Sequence, residues 1–422
     1  MKITVPVRPE GQKSVLALRT EPLDVVRFGI IGLGSRGANA VRLLATVPNC
    51  TVTALCDINP VAVEKCAQSL DNGQEVHCFS GEGDAWKYVC ESADVDIIYI
   101  CTDWESHVPM ALHAMQAGKH VALEVPAAMT LDDIWALVDM AEKTRRHCIM
   151  MENCVYDSFE MSTMAMAQAG VFGEIVHVDG AYHHCLDKQW PEWRLKYNRD
   201  YRGDLYPTHG IGPVCHVLGI HRGDRMKTLI SVDTASFNGT RLYEQVAGKC
   251  DGFRNADQTD TFIRTEKGKT ILLQHNVMTP RPYDRMFKVV GTEGYAGKYP
   301  VEQYYLRSDE VADPKEVGRL YQGTELSLLQ KEYPSPVMSE ELAALEKPQS
   351  PRGDMDFIMY YRLVYCLHHG LPLDMDVYDM AEWCSITELS RISLENGNIP
   401  VEVPDFTRGN WDVMSGYEYG KL

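Results

Sequence analysis

Gly32, Gly34 and Gly37 form a G-x-G-x-x-G pattern at the end of an apolar run that begins at Val25. Their chemistry lies in what they lack. Gly32 permits a tight turn, Gly34 lets backbone approach a pyrophosphate, and Gly37 lets the next helix pack close to the strand. That helix, opening at Ser35 and Arg36, would aim its N-terminal N–H groups at the phosphates. A second apolar run, Thr51 to Cys56, ends at Asp57. Asp57 lies about 20 residues past Gly37, where a carboxylate accepts from a ribose 2′-hydroxyl and repels a 2′-phosphate. The pattern predicts NAD rather than NADP. Other reactive side chains carry less. His183, His184 and Cys185 are contiguous, and strand neighbours point to opposite faces, so they are a poor metal site. His368 and His369 suit compensation of a helix C-terminus, and Glu340 and Glu341 read as solvated surface. No metal is predicted.

The elements that must position these residues alternate strand and helix. Val95–Cys101 reads as a strand, followed by a helix with Met110, Leu112, Ala114 and Met115 that Gly118 stops. His120–Glu124 is the next strand. A helix then runs through Leu131, Ile134, Leu137, Val138 and Ala141, with Thr130 as its N-cap. His147–Met151 closes the series. Ligands of such sheets sit at the C-terminal strand ends. The residues there are Ser35, Arg36, Asp57, Thr102, Trp104, His107, Glu124, Val125 and Asn153. They are largely polar or aromatic, whereas the strands are apolar.

The pattern changes near residue 155. A Met/Ala-rich helix, Phe159–Ala169, has methionines at helical spacing and reads as core. Strands are expected at Ile175–Tyr182, Leu229–Phe237, Asp260–Thr265, Thr270–His275 and Met286–Gly291, with no crossover helices, which predicts a largely antiparallel sheet. The stretch 183–213 reads as a long insertion, and 308–352 as a polar excursion. Helices at Asp354–His369 and Asp376–Asn396 close the chain. The organisation expected is an arm (1–24), a doubly wound parallel Rossmann domain (25–154) and an α+β domain with an open, largely antiparallel sheet (155–422). The last helices are expected to return toward the Rossmann domain.

The 422 residues suffice for two domains. A formal charge of −18 argues against nucleic acid and anionic membrane as partners. The thirteen cysteines include no C-x-x-C pair and read as reduced thiols. With no signal-peptide apolar core in Met1–Thr20, a cytoplasmic location is expected.

Several motifs together resemble the Gfo/Idh/MocA oxidoreductases: Gly32–Gly37, Thr102-Asp103-Trp104 with His107, Gly118-Lys119-His120-Val121, Glu124-Val125-Pro126, and Asn396-Gly397. Most of that superfamily carries Glu-Lys-Pro at the end of the fifth strand, with the lysine in catalysis. Here Val125 takes its place. The Glu-Val-Pro form is similar to the family-109 glycosidases, NAD-dependent α-N-acetylgalactosaminidases. So are Trp104–His107, Met151–Tyr156, Gly180-Ala181-Tyr182, Trp193-Arg194-Leu195, Leu205–Gly210 and Pro280–Tyr283. The resemblance implies NAD contacts from Ser35, Arg36, Asp57, Trp104, His107, Glu124, Val125 and Asn153. It implies carbohydrate contacts from Tyr182, Arg194, Tyr206, Pro207, Thr208, His209 and Tyr283. It also implies a homo-oligomer formed through the sheet of the second domain.

NAD-dependent glycosidases need no carboxylate pair. The logic is transient oxidation at sugar C3, which acidifies the C2 hydrogen; elimination at C1, addition of water and re-reduction follow. The scheme needs a base, and His209, at the mouth of a helix through Ile211, Val214 and Val217, is the first choice. Tyr182, Tyr206 and Tyr283 would donate to the leaving oxygen, orient hydroxyls or stack on the sugar. Arg194 offers a rigid fork for hydroxyls or an acetamido carbonyl. A sugar or cyclitol dehydrogenase with net redox turnover is the alternative, and a non-catalytic NAD-binding protein the third reading. The missing lysine disfavours the former, and the polar cluster at 182–209 the latter.

Overall fold

The computed structural model describes residues 1–70, 75–186, 191–311, 315–347, 353–417 and 419. The chain forms two compact units. The first comprises Val7–Tyr156 and Val337–Ala381; the second comprises Met1–Pro6, Asp157–Pro336 and Glu382–Tyr417.

The first unit alternates strand and helix: β1 (Val26–Ile31), α1 (Ser35–Leu44), β2 (Cys50–Asp57), α2 (Pro60–Gln68), β3 (His77–Ser80), α3 (Ala85–Glu91), β4 (Ile97–Ile100), α4 (Trp104–Gln116), β5 (His120–Leu123), α5 (Leu131–Thr144) and β6 (Cys148–Met150). The strands lie parallel in the order β3-β2-β1-β4-β5-β6, the doubly wound order of dinucleotide-binding sheets. Val26, Phe28 and Ile30 are fully buried, because helices cover both faces of such a sheet. Thr130 caps α5 by accepting from the Asp133 amide at 3.2 Å, and Asp132 and Asp133 occupy its first turn. The register aligns Ile31 with Cys56 and Ile100, and Ile100 with Leu123. Gly32, Asp57 and Glu124 therefore emerge side by side at one sheet edge.

The second unit is built on α6 (Ser158–Gln168), β7 (Ile175–His183), α7 (Glu192–Asp200), α8 (Thr208–Leu218), β8 (Met226–Asp233), α9 (Asn238–Ala247), β9 (Thr259–Thr265), β10 (Thr270–Asn276), β11 (Lys288–Gly291), β12 (Gly294–Gly297), β13 (Gln303–Arg307), β14 (Gly318–Tyr321) and α10 (Gly323–Glu332). Later elements are α11 (Glu340–Ala344), α12 (Met355–His368), α13 (Val377–Glu395) and β15 (Val401–Glu402). Among the described residues, nine strands run in the order β14-β13-β12-β11-β7-β10-β9-β8-β15. All pairings are antiparallel except β7 with β10. Helices α6 and α8 pack together, and α8 lies on β7 and β10. Met161, Met164 and Met166 of α6 are buried, the core filling their spacing predicts.

Three local expectations fail for long-range reasons. The strand expected to reach Phe237 stops at Asp233, and α9 begins at Asn238. The Asp257 carboxylate accepts from the amides of Phe237, Asn238 and Gly239 at 3.0, 2.8 and 3.1 Å. This cap comes from across the fold, so no local signal announces the helix. The insertion 183–213 contains α7 as well as the expected α8. The polar stretch 308–352 holds β14, α10 and α11, with Leu326 and Leu342 as buried anchors.

In the first unit, α12 packs against α1, β1 and the 3₁₀ turn Asn153–Tyr156. Arg8, in the arm, forms a two-pronged pair with Glu142 at 2.9 and 3.0 Å, and Tyr378 donates to the same carboxylate. The arm contains no strand or helix up to Val25. No disulfide joins any of the thirteen cysteines, all of which are described. Among the described residues no helix is long and apolar enough to cross a membrane.

Candidate functional site

In the first unit the glycines do what their spacing implies. Gly32 has φ +89°, and a Cβ there would lie 2.7 Å from the Cys101 carbonyl. A Cβ on Gly37 would sit 1.9 Å from the Gly32 oxygen. A Cβ on Gly34 would meet nothing within 4 Å, so this glycine keeps open space in front of the loop rather than relieving a clash. Gly34 N-caps α1 without a side-chain cap, which leaves the first-turn amides available to an anion. Asp57 is half-buried. One carboxylate oxygen accepts from the Leu33 amide at 2.6 Å and the other from the Asn59 amide at 2.8 Å. The carboxylate is thereby oriented, and each oxygen retains a lone pair for a ribose hydroxyl. These features fit a bound dinucleotide. Replacing Gly34 with Ala is expected to change folding stability by less than about 0.5 kcal/mol and to weaken NAD binding by tenfold or more. Thermal unfolding and a cofactor titration check the two halves.

Beyond the glycines, the strand-end residues form one hydrogen-bonded network. Arg36 donates to Glu124 at 3.1 Å and to Asp356 of α12 at 3.3 Å. Tyr99 also donates to Glu124 and lies 3.1 Å from the hydroxyl of Tyr360. Asn153 donates to Asp356 at 2.7 Å. Burial works against the Arg36 charge, but Glu124 and its neighbours more than offset it, so the guanidinium stays charged. Val125 is buried and precedes Pro126 in a cis peptide. His107 is fully buried, with Nδ1 3.1 Å from the Pro126 carbonyl and Nε2 3.3 Å from that of Thr102. Burial pushes its pKa below the ordinary value, against the pull of Glu124. A neutral ring has one N–H, and the shorter contact favours Nδ1. His107 therefore ties the two strand-end loops together. Trp104, also buried, opens α4 behind Asp103, which caps the Ser106 amide at 3.0 Å.

In the second unit, two glycines bring strand and helix into contact. A Cβ on Gly180 of β7 would sit 2.2 Å from the Gly210 oxygen, and one on Gly210 would lie 2.7 Å from the Ala181 amide nitrogen. The start of α8 thus rests directly on β7 backbone. The rings gather as a result. Tyr182 lies 4.8 Å from Tyr206 and 5.1 Å from His209, centroid to centroid, and Tyr206 lies 4.9 Å from His209. Tyr283 is 6.5 Å from Tyr182. The Arg194 guanidinium from α7 covers the Tyr206 ring at 4.6 Å. Pro207 N-caps α8 and Thr208 is its fully buried first residue.

The segment bearing Tyr283 is tied to the edge of β7. Asp284 and His183 exchange backbone bonds at 3.0 and 3.1 Å, and Ala181 donates to the Arg285 carbonyl at 2.8 Å. Met286 and Phe287 follow with φ +57° and +39°. Two consecutive non-glycine residues in this region cost about 1–3 kcal/mol each, a penalty that concentrates at functional sites.

A family model described as the C-terminal domain of glycosyl hydrolase 109 matches residues 156–413. A second, the oxidoreductase family's NAD-binding Rossmann fold, matches residues 26–152. A glycosyl hydrolase family 109 protein of Porphyromonas gingivalis is 52% identical over 99% of this chain and 92% of its own length. The chain belongs to glycosyl hydrolase family 109. A Bacteroides fragilis relative, glycosyl hydrolase family 109 protein 1, is also 52% identical, over 98% of this chain and 92% of its own. Among solved structures, levoglucosan dehydrogenase in complex with NADH and L-sorbose superposes with a TM-score of 0.69 at 18% identity, covering 90% of this chain and all of that one. An NAD-binding oxidoreductase from Klebsiella pneumoniae gives 0.70 at 17%, over 90% and 99%. These likenesses carry the fold. The family-109 chain thus has an NAD-binding Rossmann fold followed by its family's C-terminal domain.

Beside the tyrosine rings of the second unit stand residues that sequence reasoning did not assign to a carbohydrate site. His184 lies 5.9 Å from Tyr182 and 5.4 Å from Tyr283, and His275, on the strand beside β7, lies 6.5 Å from Tyr182. Burial, reinforced by Arg194, pushes His275 down to about 3, so its ring is neutral. The β7–β10 register that pairs His275 with Tyr182 has no local sequence signal. Asp204 is a clearer omission, since it stands two residues before Tyr206. It is buried, and its carboxylate accepts from the Tyr206 amide at 3.1 Å. Burial raises its pKa to about 7. The unfolded chain releases this proton near pH 4, and the folded chain holds it to about 7. The contribution to stability is therefore full below pH 4 and is lost as pH rises through 7. Asp204→Asn keeps the acceptor and removes the charge. It is expected to lie within about 1 kcal/mol of the parent near pH 4 and to exceed it by on the order of 4 kcal/mol at pH 8, as read by urea unfolding at both values.

Proposed function

We propose that this family-109 protein is an NAD-dependent hydrolase of N-acetylgalactosamine-type glycosides. The observation that carries the reading is the convergence of Tyr182, Tyr206 and His209, with Arg194 over Tyr206, in a chain with Val125 where a catalytic lysine is usual in the superfamily. Gly32, Gly34, Gly37 and the first amides of α1 at Ser35 and Arg36 would hold the pyrophosphate, and Asp57 the adenosine ribose. Thr102, Trp104, Glu124, Val125 and Asn153 would line the rest of the cofactor, with His107 holding their loops. Bound NAD⁺ supplies transient oxidation at sugar C3, which acidifies the C2 hydrogen, and restores the hydride within the turnover.

His209 then acts as the base at C2. The freed electron pair forms the C1–C2 double bond as the C1–O bond breaks. Tyr182 and Tyr206 orient hydroxyls and present ring faces to the sugar, while Arg194 holds the acetamido carbonyl. Pro207 and Thr208 fix the backbone that carries His209. The test incubates NAD-loaded protein with nitrophenyl α- and β-N-acetylgalactosaminides. Hydrolysis without NADH accumulation is expected. Stoichiometric NADH formed with free sugar would replace this reading with a dehydrogenase. For assembly, we propose pairing of two copies through the open face of the nine-stranded sheet, which presents Val232, Phe262 and Leu320 to solvent. Light scattering should report a mass above that of one chain.

A further inference from the structure

The geometry points to Tyr283 as the donor of the leaving-group proton and to Arg285 as the positioning residue that prepares it; this assignment rests on the glycosidase reading above. Three tyrosines flank the candidate sugar site, and they differ in their exposure to solvent. Tyr182 and Tyr206 are 7% and 8% exposed, whereas Tyr283 is 42% exposed. The sugar ring must be enclosed for chemistry, but the aglycone extends outward. A proton donor to the bond between them belongs at the rim, where Tyr283 stands.

The cation contacts point the same way. Arg194 meets Tyr206 across the ring face, with its guanidinium carbon 4.6 Å from the centroid. Arg285 meets Tyr283 at the hydroxyl, where Nη1 donates to the phenolic oxygen at 2.9 Å. A phenol that accepts from a guanidinium directs its own proton elsewhere, and the adjacent cation favours the phenolate formed once that proton leaves. Arginine keeps its charge throughout.

Arg285 is itself held. Its side chain is 3% exposed. Nη2 lies 2.6 Å from Glu160 and 3.4 Å from Asp157. Lys298 contacts both carboxylates. Arg285 and Lys298 thus share these two carboxylates, which fix the guanidinium in place. Neither Arg285 nor the carboxylates and lysine that hold it belong to the residues expected to touch sugar, and the motif Pro280–Tyr283 stops short of Arg285.

The step balances. As C1–O breaks, its electron pair passes to the leaving oxygen, which takes the phenolic proton. The O–H pair stays on Tyr283 as phenolate beside Arg285. The water that adds at C1 returns a proton to the phenolate.

The test compares methyl and 4-nitrophenyl glycosides of N-acetylgalactosamine with NAD-loaded protein. Nitrophenolate departs unassisted, whereas methoxide does not. Tyr283→Phe is expected to lower kcat/KM on the methyl glycoside by about 10²-fold or more, and on the nitrophenyl glycoside by less than about tenfold. Arg285→Gln is expected to show the same split, and Arg285→Lys to recover part of the methyl-glycoside rate. Tyr283→Phe leaves Arg285 and its carboxylates intact, so it tests the assignment if Arg285→Gln misfolds. An equal loss on both glycosides in Tyr283→Phe would overturn the assignment. Absence of hydrolysis of either glycoside by the unaltered protein would overturn the glycosidase reading itself, and the assignment with it.

Discussion

His209→Ala should lower kcat/KM for hydrolysis by about 10²–10⁴-fold, the usual worth of a positioned general base. His209 is the second residue of α8, half-buried, with two tyrosine rings about 5 Å away. Alanine is a good helix former, so the helix itself should survive. Circular dichroism and the unfolding midpoint should therefore change little while activity falls. Proton exchange gives a second measure. Product formed in D₂O should carry deuterium at C2, because elimination removes the original hydrogen and solvent supplies its replacement. A variant that hydrolyses normally, or product with no deuterium at C2, would refute the base assignment or the elimination route respectively.

Gly180→Ala should be severely damaging to both the fold and the site of the second unit. The added methyl would lie 2.2 Å from the Gly210 oxygen and 2.8 Å from its carbonyl carbon. Both atoms are backbone, so no side-chain rotation relieves the clash, and either β7 or α8 must move. Overpacking of a close-packed interior costs about 1–3 kcal/mol even where side chains can yield, and a backbone clash belongs at or above the top of that range. Because β7 carries Tyr182 and the start of α8 carries His209, the same shift would separate the rings. The expected result is a loss of roughly 3 kcal/mol or more in urea unfolding, with activity falling beyond what the residual folded fraction explains. A variant that folds and turns over normally would show that the Gly180–Gly210 approach does not position the site.

Much of the first unit was legible because its signals are local. The apolar run into Gly32, the spacing to Gly37 and the acid at Asp57 lie within one strand–helix–strand unit. A parallel register then brings successive strand ends to one edge almost automatically. Residues read at those ends, Arg36, Glu124 and Asn153, prove to be members of one network. Tyr99 joins them from β4, while Tyr360 and Asp356 come from a helix more than two hundred positions beyond Asn153. No periodicity connects them, and only the packing of α12 on the first unit does so.

The second unit was less legible for the same reason. Five of its strands, β7 to β11, were found to within about four residues, because alternation is local, whereas the short strands β12 to β15 were not read. Helix α9 was missed because Asp257 caps it from a distance. Asp204 went unremarked because burial, not spacing, lifts its pKa.

The sequence by itself determined that this chain carries a glycine-cradled NAD fold, lacks lysine at position 125 and has the residue types for carbohydrate chemistry. Those properties depend on residue identity and short spacing. Only the tertiary structure decided that Tyr283 meets a guanidinium at its hydroxyl and that His184, His209 and His275 gather around Tyr182. Arg285 and Glu160 stand 125 positions apart, and such contacts are made by the folding of the sheet and its helices, not by any pattern along the chain.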